Sequence, residues 1–469
     1  VALGGFRGLI SNYLWIRAND LQQDDKFFEA AQLANWITDL EPHFSQVWAF
    51  ESWNMAFNIS VKFKENAPGV YSDRWRWIEN GINLLRDQGL RYNPEDVLLY
   101  RELAWLFQFK IGQNLDDGNM YYKQQLAQEM TQFFGPYGTN FAALVHPQTA
   151  EEKTNAFLFR EKFKMDPALA QKVDERWGPL DWRLPEAHAI YWASLGLQKV
   201  KENPAKATSD DLLQLRRVIF GSLRQAFYHG RIIANPFTHG AELAPNLDIV
   251  QKASDAFLQE MKDDAKGSNN IANAHRYFIA DAVYYFYEND RMAEAAKWFK
   301  YLGEKYPNKT ILDNQPDSYP RNLTLDQYCV GRVEEDIGDT SQDRTTAGVQ
   351  GMLLHSYLDL AIGQDARATG YQLLARKVYD LYEKKINKGI SNQNRTGLPP
   401  FDNLKREVLN RLLDSKANMI PYAARAIIRT QLGLPVETNS VAPFSISTNA
   451  VAPVNLSPPT NSPATNTVE

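Results

Sequence analysis

Residues 277–307 read YFIADAVYYFYENDRMAEAAKWFKYLGEKYP. Ile279, Ala282, Val283 and Phe286 recur at three- and four-residue spacing, which places them on one face of a helix. Glu288-Asn289-Asp290 supplies a tight turn, and a second helix presents Ala295, Phe299 and Leu302 before Pro307 closes the unit. The small Ala282 and Ala295 sit where two helices must approach closely, and Phe286 and Phe299 fill the space beside them.

The same order recurs nearer the N-terminus. Residues 14–42 offer Ala18 and Leu21, a turn at Gln23-Asp24-Asp25, then Phe28, Ala30, Ala34, Ile37 and Pro42. A partial copy starts at Val47-Trp48 and runs through Trp53 and Phe57, with its second helix over 72–88 after a long turn containing Pro68-Gly69. A fourth starts at Tyr100, with Leu103, Ala104 and Phe107, and pairs with a helix over 120–134. This helix-turn-helix unit closed by proline resembles the tetratricopeptide repeat (TPR), whose period is about 34 residues. The turn glycine usual in that repeat is replaced by Asp290. The resemblance covers 14–134 and 275–307. It implies an all-α fold, an α-solenoid of degenerate TPR-like helix pairs with two irregular insertions and a disordered C-terminal tail.

The expected organisation follows. TPR-like repeats occupy 1–134, and an irregular, proline-interrupted insertion with one or two short helices occupies 135–185. Helical repeats resume over 186–307, including the clear unit at 275–307. An acidic loop insertion spans 308–345, and helices at 346–362, 366–386 and 402–432 lie within the C-terminal region 346–435. The tail 436–469 is rich in Ser, Thr, Pro and Asn, with TNSVAP at 438–443 echoed by TNAVAP at 448–453. Such a composition buries too little to offset the entropy of ordering, so disorder is predicted there. Helix starts are marked at Asn93-Pro94-Glu95-Asp96, Asp166-Pro167 and Thr208-Ser209-Asp210-Asp211.

The chain has 469 residues, is 44% hydrophobic and 23% charged, and carries a formal net charge of -5. That balance suits a folded chain and disfavours a nucleic-acid partner, which needs a basic face. One cysteine, Cys329, excludes an internal disulfide and any Cys-based zinc site, and a buried, inert thiol is its plain reading. No run of about 18 apolar residues is present to cross a bilayer. The chain begins at Val1, which fits a removed leader or anchor as well as trimming. With the tail composition and a likeness to uncharacterised bacterial repeat proteins tethered outside the cytoplasm, this favours an extracytoplasmic or membrane-anchored location, with a cytoplasmic one as the alternative.

None of the seven histidines makes a His-x3-His pair or a His-Glu-x-x-His face, so no metal or cofactor is expected. Glu186, two residues before His188, reads as a first-turn acid favoured by the helix dipole. No nucleophile elbow, phosphate loop or dinucleotide fingerprint occurs. Two readings from different classes remain. An (α/α) toroid of glycosidase or lyase type needs paired carboxylates; its candidates are Asp181, Glu334, Glu335 and Asp336, whose plain reading is acids in solvated loops. A non-enzymatic scaffold needs a recognition surface, and in a TPR array the first helices of successive units line a concave groove. The resemblance then implies a partner-binding stripe of Tyr277, Ala280, Tyr284 and Tyr287 in the clear unit, Leu98, Arg101, Trp105 and Gln108 in the fourth, Asn12, Trp15, Asn19 and Gln22 in the first, and Trp53 in the third. Aromatic rings with arginine are the residue types of binding hot spots. The expected partner is a protein or peptide held by Trp53, Arg101, Trp105, Tyr277, Tyr284 and Tyr287.

Overall fold

The computed structural model describes residues 6–235, 240–313, 315–337, 342–387, 398–415, 417, 419–435 and 455–456. The chain divides into two compact units, one built chiefly on 1–234 and 241–271 and the other chiefly on 272–452. Both are helical.

The first unit opens with α1 (Arg7–Gln23), α2 (Phe27–Leu40) and α3 (Ser45–Trp53). Next come α4 (Ser72–Asn83), the short α5 (Leu90–Tyr92) and α6 (Val97–Trp105). π-Helical segments Asn54–Ile59 and Leu106–Ile111 extend α3 and α6, and Leu84–Gly89 joins α4 to α5. The unit continues with α7 (Asn119–Phe134), α8 (Ala142–Val145), α9 (Ala150–Phe163), α10 (Pro167–Trp177), α11 (Pro185–Glu202) and α12 (Ser209–His229). It ends on a hairpin of β1 (Arg231–Asn235) and β2 (Gly240–Ala244), followed by α13 (Val250–Asp263). The second unit holds α14 (Ser268–Glu288), α15 (Met292–Lys305), α16 (Leu325–Ile337), α17 (Gln342–Ala361), α18 (Asp365–Asn387), α19 (Phe401–Leu413) and α20 (Tyr422–Gln431).

Three of the helical hairpins share one turn. In each, the first residue after the helix cap is left-handed: Asp25 (φ 61°), Asp290 (φ 54°) and Gly363 (φ 73°). Two backbone bonds lock it, Lys26 N–H to Leu21 O and Asp25 N–H to Gln22 O in the first. Arg291 to Phe286 with Asp290 to Tyr287, and Gln364 to Asp359 with Gly363 to Leu360, repeat the pattern. This is the Schellman arrangement, which satisfies the last carbonyls of a helix. Aspartate tolerates the left-handed region better than branched residues do, so the turn forms at 25 and 290 without glycine. Five residues beyond each turn stands a buried alanine, Ala30, Ala295 or Ala368. The hairpin of α17 and α18 was not expected as a unit of this kind from the sequence.

Several boundaries differ from expectation. Helix α6 begins at Val97 with Asp96 as its cap, its carboxylate accepting from Leu98 N–H. Asn93 instead donates to the Pro42 and Gly89 carbonyls. The segment 135–185 holds two full helices, α9 and α10. A capping box of Thr149 and Glu152 starts α9, and Asp166 ahead of Pro167 starts α10. The segment 308–345 likewise contains α16 and the start of α17. The expected helix over 402–432 is two helices, with Pro421 immediately before the second. Fourth-unit pairing also differs, because α6 packs principally against α11 and α12, with α7 touching its π segment. The tail 436–469 lies outside the described residues except for Asn455–Leu456, which form β3 beside β2 in the order β1-β2-β3. No helix among the described residues is long and apolar enough to cross a membrane.

Glu51, fully buried on α3, finds no hydrogen-bond partner for either carboxylate oxygen among the described residues. Burial pushes its pKa up to about 8, with Asn54 beside it opposing the shift. The folded protein then keeps a proton that the unfolded chain releases near 4.5. Stability should fall as pH rises from 4.5 to about 8, by at most about 1.4 kcal/mol per pH unit. Glu51→Gln should flatten that dependence, checked by urea midpoints at pH 5 and pH 8. Equal slopes for parent and variant would refute it.

Candidate functional site

Trp53 and Phe57 are four residues apart on α3 and its π segment, and Trp105 and Phe109 are four apart on α6 and its π segment, so each pair shares a helix face. Both tryptophans stand immediately before a π-helical stretch. Because α3 packs against α6, the two pairs meet. Ring centroids run from Trp53 to Phe57 at 5.8 Å, Phe57 to Trp105 at 4.9 Å and Trp105 to Phe109 at 5.0 Å. All four rings are half-buried, so each ring of the row keeps part of its surface in contact with solvent. Lys110 lies 5.2 Å from the Phe57 ring and is itself buried, paired with Asp116 at 2.6 Å.

Arg101 sits one turn before Trp105. Its guanidinium binds Glu102 at 2.9 Å and approaches Asp211 of α12 at 3.6 Å. It is therefore tied between helices as well as flanking the rings. Gln108, predicted on the same stripe, is buried and donates to the Val218 carbonyl.

The tyrosines of α14 belong to the second unit and do not form one stripe. Tyr277 is exposed, with the Arg276 guanidinium 4.0 Å from its ring centre. Tyr284 is half-buried beside Tyr285 and Arg332. Tyr287 is a correction: it is 2% exposed and donates from Oη to Asp326 at 2.6 Å, so it is core. Three residues beyond Tyr284 is a rotation of about 60° round the helix, enough to turn a ring inward. Ala280 is buried too, beneath Tyr328 of α16. Cys329, next to it, is fully buried, and burial pushes its thiol well up.

The acids proposed for a sugar-cleaving site fare differently. Asp181 is not in a solvated loop: it is 3% exposed and forms a two-point ion pair with Arg183, at 2.8 and 2.6 Å. Glu186 is buried as well, and burial pushes it up to about 7. His188 donates from Nε2 to the Trp182 carbonyl, stacks on Phe107, and is pushed down to about 4 by burial. Glu334 and Glu335 are half-buried on α16, and the Asp336 side chain lies outside the described residues.

A different pair is not legible in the sequence. Glu79 of α4 and Glu129 of α7 are hydrogen-bonded at a cavity of about 260 Å³ bordered by Arg86, Lys162, His188 and Trp192. Burial and then the Glu129 carboxylate push Glu79 up to about 7. Glu79 therefore holds its proton more readily than an ordinary glutamate, and a pair in contact is closer than the about 5 Å or more that separates carboxyl groups flanking a glycosidic bond. No local signal could have found the pair, since fifty residues of chain separate the two helix faces. No group of three or more His, Cys, Asp or Glu among the described residues is placed to hold a metal ion.

Fold and ring row together define an all-α helical protein with a partly exposed aromatic row on its first unit. Comparison with protein-family models, curated proteins and solved structures returns no match to the chain.

Proposed function

We propose that this protein is a non-enzymatic, TPR-like scaffold that holds a partner protein or peptide against Trp53, Phe57, Trp105 and Phe109. The continuous row of four half-buried rings on two neighbouring helices carries the reading. Rings already fixed by their neighbours lose little entropy on binding and bury large area, which is why aromatic residues dominate hot spots. The three Schellman hairpins with a matching alanine support the repeat-like part of the proposal. The toroid alternative draws less support, because Asp181 is sealed in an ion pair and Glu79 touches Glu129.

The test uses the full chain as bait. Any partner captured by the parent should be lost by the Arg101→Ala/Trp105→Ala variant while its far-UV circular dichroism stays unchanged. Each hot-spot side chain removed should weaken binding by about 2 kcal/mol, a factor of about 30. Undiminished capture would sink the ring row as the site, and a collapsed helical spectrum would make the rings core.

A further inference from the structure

Helices α10, α11 and α12 line a second cavity in the first unit, open to solvent on one side and of about 570 Å³. Its walls are apolar: Leu169, Val173, Trp177, Leu197, Leu212 and Ile219. Its charged lining is of one sign, Lys172, Arg176, Lys201 and Arg216, with no aspartate or glutamate among the lining residues. Arg216 is neutralised by Asp263 at 3.0 Å. Lys172, Arg176 and Lys201 are exposed and have no carboxylate partner among the described residues. The Arg176 guanidinium rests 4.6 Å from the Trp177 ring centre, which holds a cation over the apolar wall. Ser194, also on the lining, has a hydroxyl sealed from solvent with no hydrogen-bond partner among the described residues.

We propose that this cavity binds a single-chain anionic amphiphile of the fatty-acid type. The alkyl chain would lie along the leucine, valine, isoleucine and tryptophan walls, where leaving water is favourable in proportion to apolar area. The carboxylate would meet Arg176 and Lys201, whose charges have no internal counter-ion. The size agrees with small-ligand sites, which span about 300–1,000 Å³. A neutral polar ligand would leave the walls unmatched, and a cationic one would meet three uncompensated charges. This site is separate from the ring row, which uses α3 and α6.

Laurate, titrated into the full-length protein below its micellar concentration and followed by calorimetry, should bind saturably at one site. Arg176→Glu/Lys201→Glu should weaken that binding about tenfold or more, and raised salt should weaken it in the parent. Both substituted side chains are exposed, so unchanged circular dichroism is expected and serves as the control. Leu197→Trp should remove binding by filling the cavity, and dodecyltrimethylammonium should bind less tightly than laurate. Absence of saturable laurate binding, or equal affinity in the charge-reversed variant, overturns the proposal. An acidic amphipathic peptide that binds through Arg176 and Lys201 while laurate does not would overturn it in favour of a protein-docking face.

Discussion

Gly370→Ala is expected to destabilise the C-terminal unit by about 3 kcal/mol or more, although alanine in a helix interior normally gains about 0.5–1 kcal/mol over glycine. The sign reverses because Gly370 of α18 faces the turn after α14. A Cβ there would overlap the Glu288 carbonyl and lie 3.0 Å from the Asp290 nitrogen. Those are backbone atoms of a locked Schellman turn, so no rotamer change relieves the clash. Gly351 on α17 is the internal control, since a Cβ at that position meets nothing within 4 Å. Gly351→Ala should stabilise slightly while Gly370→Ala lowers the urea midpoint. If the two variants unfold alike, α18 does not pack against the 288–290 turn as described.

Asp181→Ala should cost about 3–5 kcal/mol, because it strands the Arg183 guanidinium in a site where its side chain is 5% exposed. The loss is compounded by a backbone contact, Ile232 N–H to Asp181 at 3.4 Å, which ties β1 to the loop before α11. Arg183 also donates to the Pro136 carbonyl, so the pair clamps 136, 181–183 and the hairpin together. A double-mutant cycle with Arg183→Met checks the cause. Removing both charges should recover much of the loss, since an apolar pair needs no counter-ion. A single-variant cost near zero would mean that water screens the charges and the site is open.

How much was legible beforehand depends on the range of the interaction involved. The hairpin of α14 and α15 was readable because its signals are local: three- and four-residue apolar spacing, a polar turn and a closing proline. Capping at Thr208 and Asp166 was readable for the same reason, because a cap acts over three residues. At Asn93 the local signal pointed to the wrong residue. Two candidate caps compete there, and the Pro42 carbonyl, far away in sequence, claims Asn93. The hairpin of α17 and α18 escaped notice although Gly363 supplies the usual turn glycine, because Asp365-Ala366-Arg367 carries few apolar markers.

The site residues divide in the same way. The place of Trp53 and Trp105 on first helices is legible in the sequence, and Phe57 brings them together at a distance that only packing sets. Tyr287 follows the same rule yet is core, because a helix periodicity names a face without saying what covers it. Here α16 does, through Asp326.

The sequence by itself determined the helical character of this protein and several of its turns and caps, along with the small-residue positions where helices approach. These follow from interactions within a few residues of each other. Only the tertiary structure decided which charges are buried, as with Asp181, Glu186 and Glu51. It also decided that Glu79 meets Glu129 and which rings stay at the surface. The physical reason is that burial and ion pairing depend on which helix faces which, and that choice is made by packing between segments far apart in the chain.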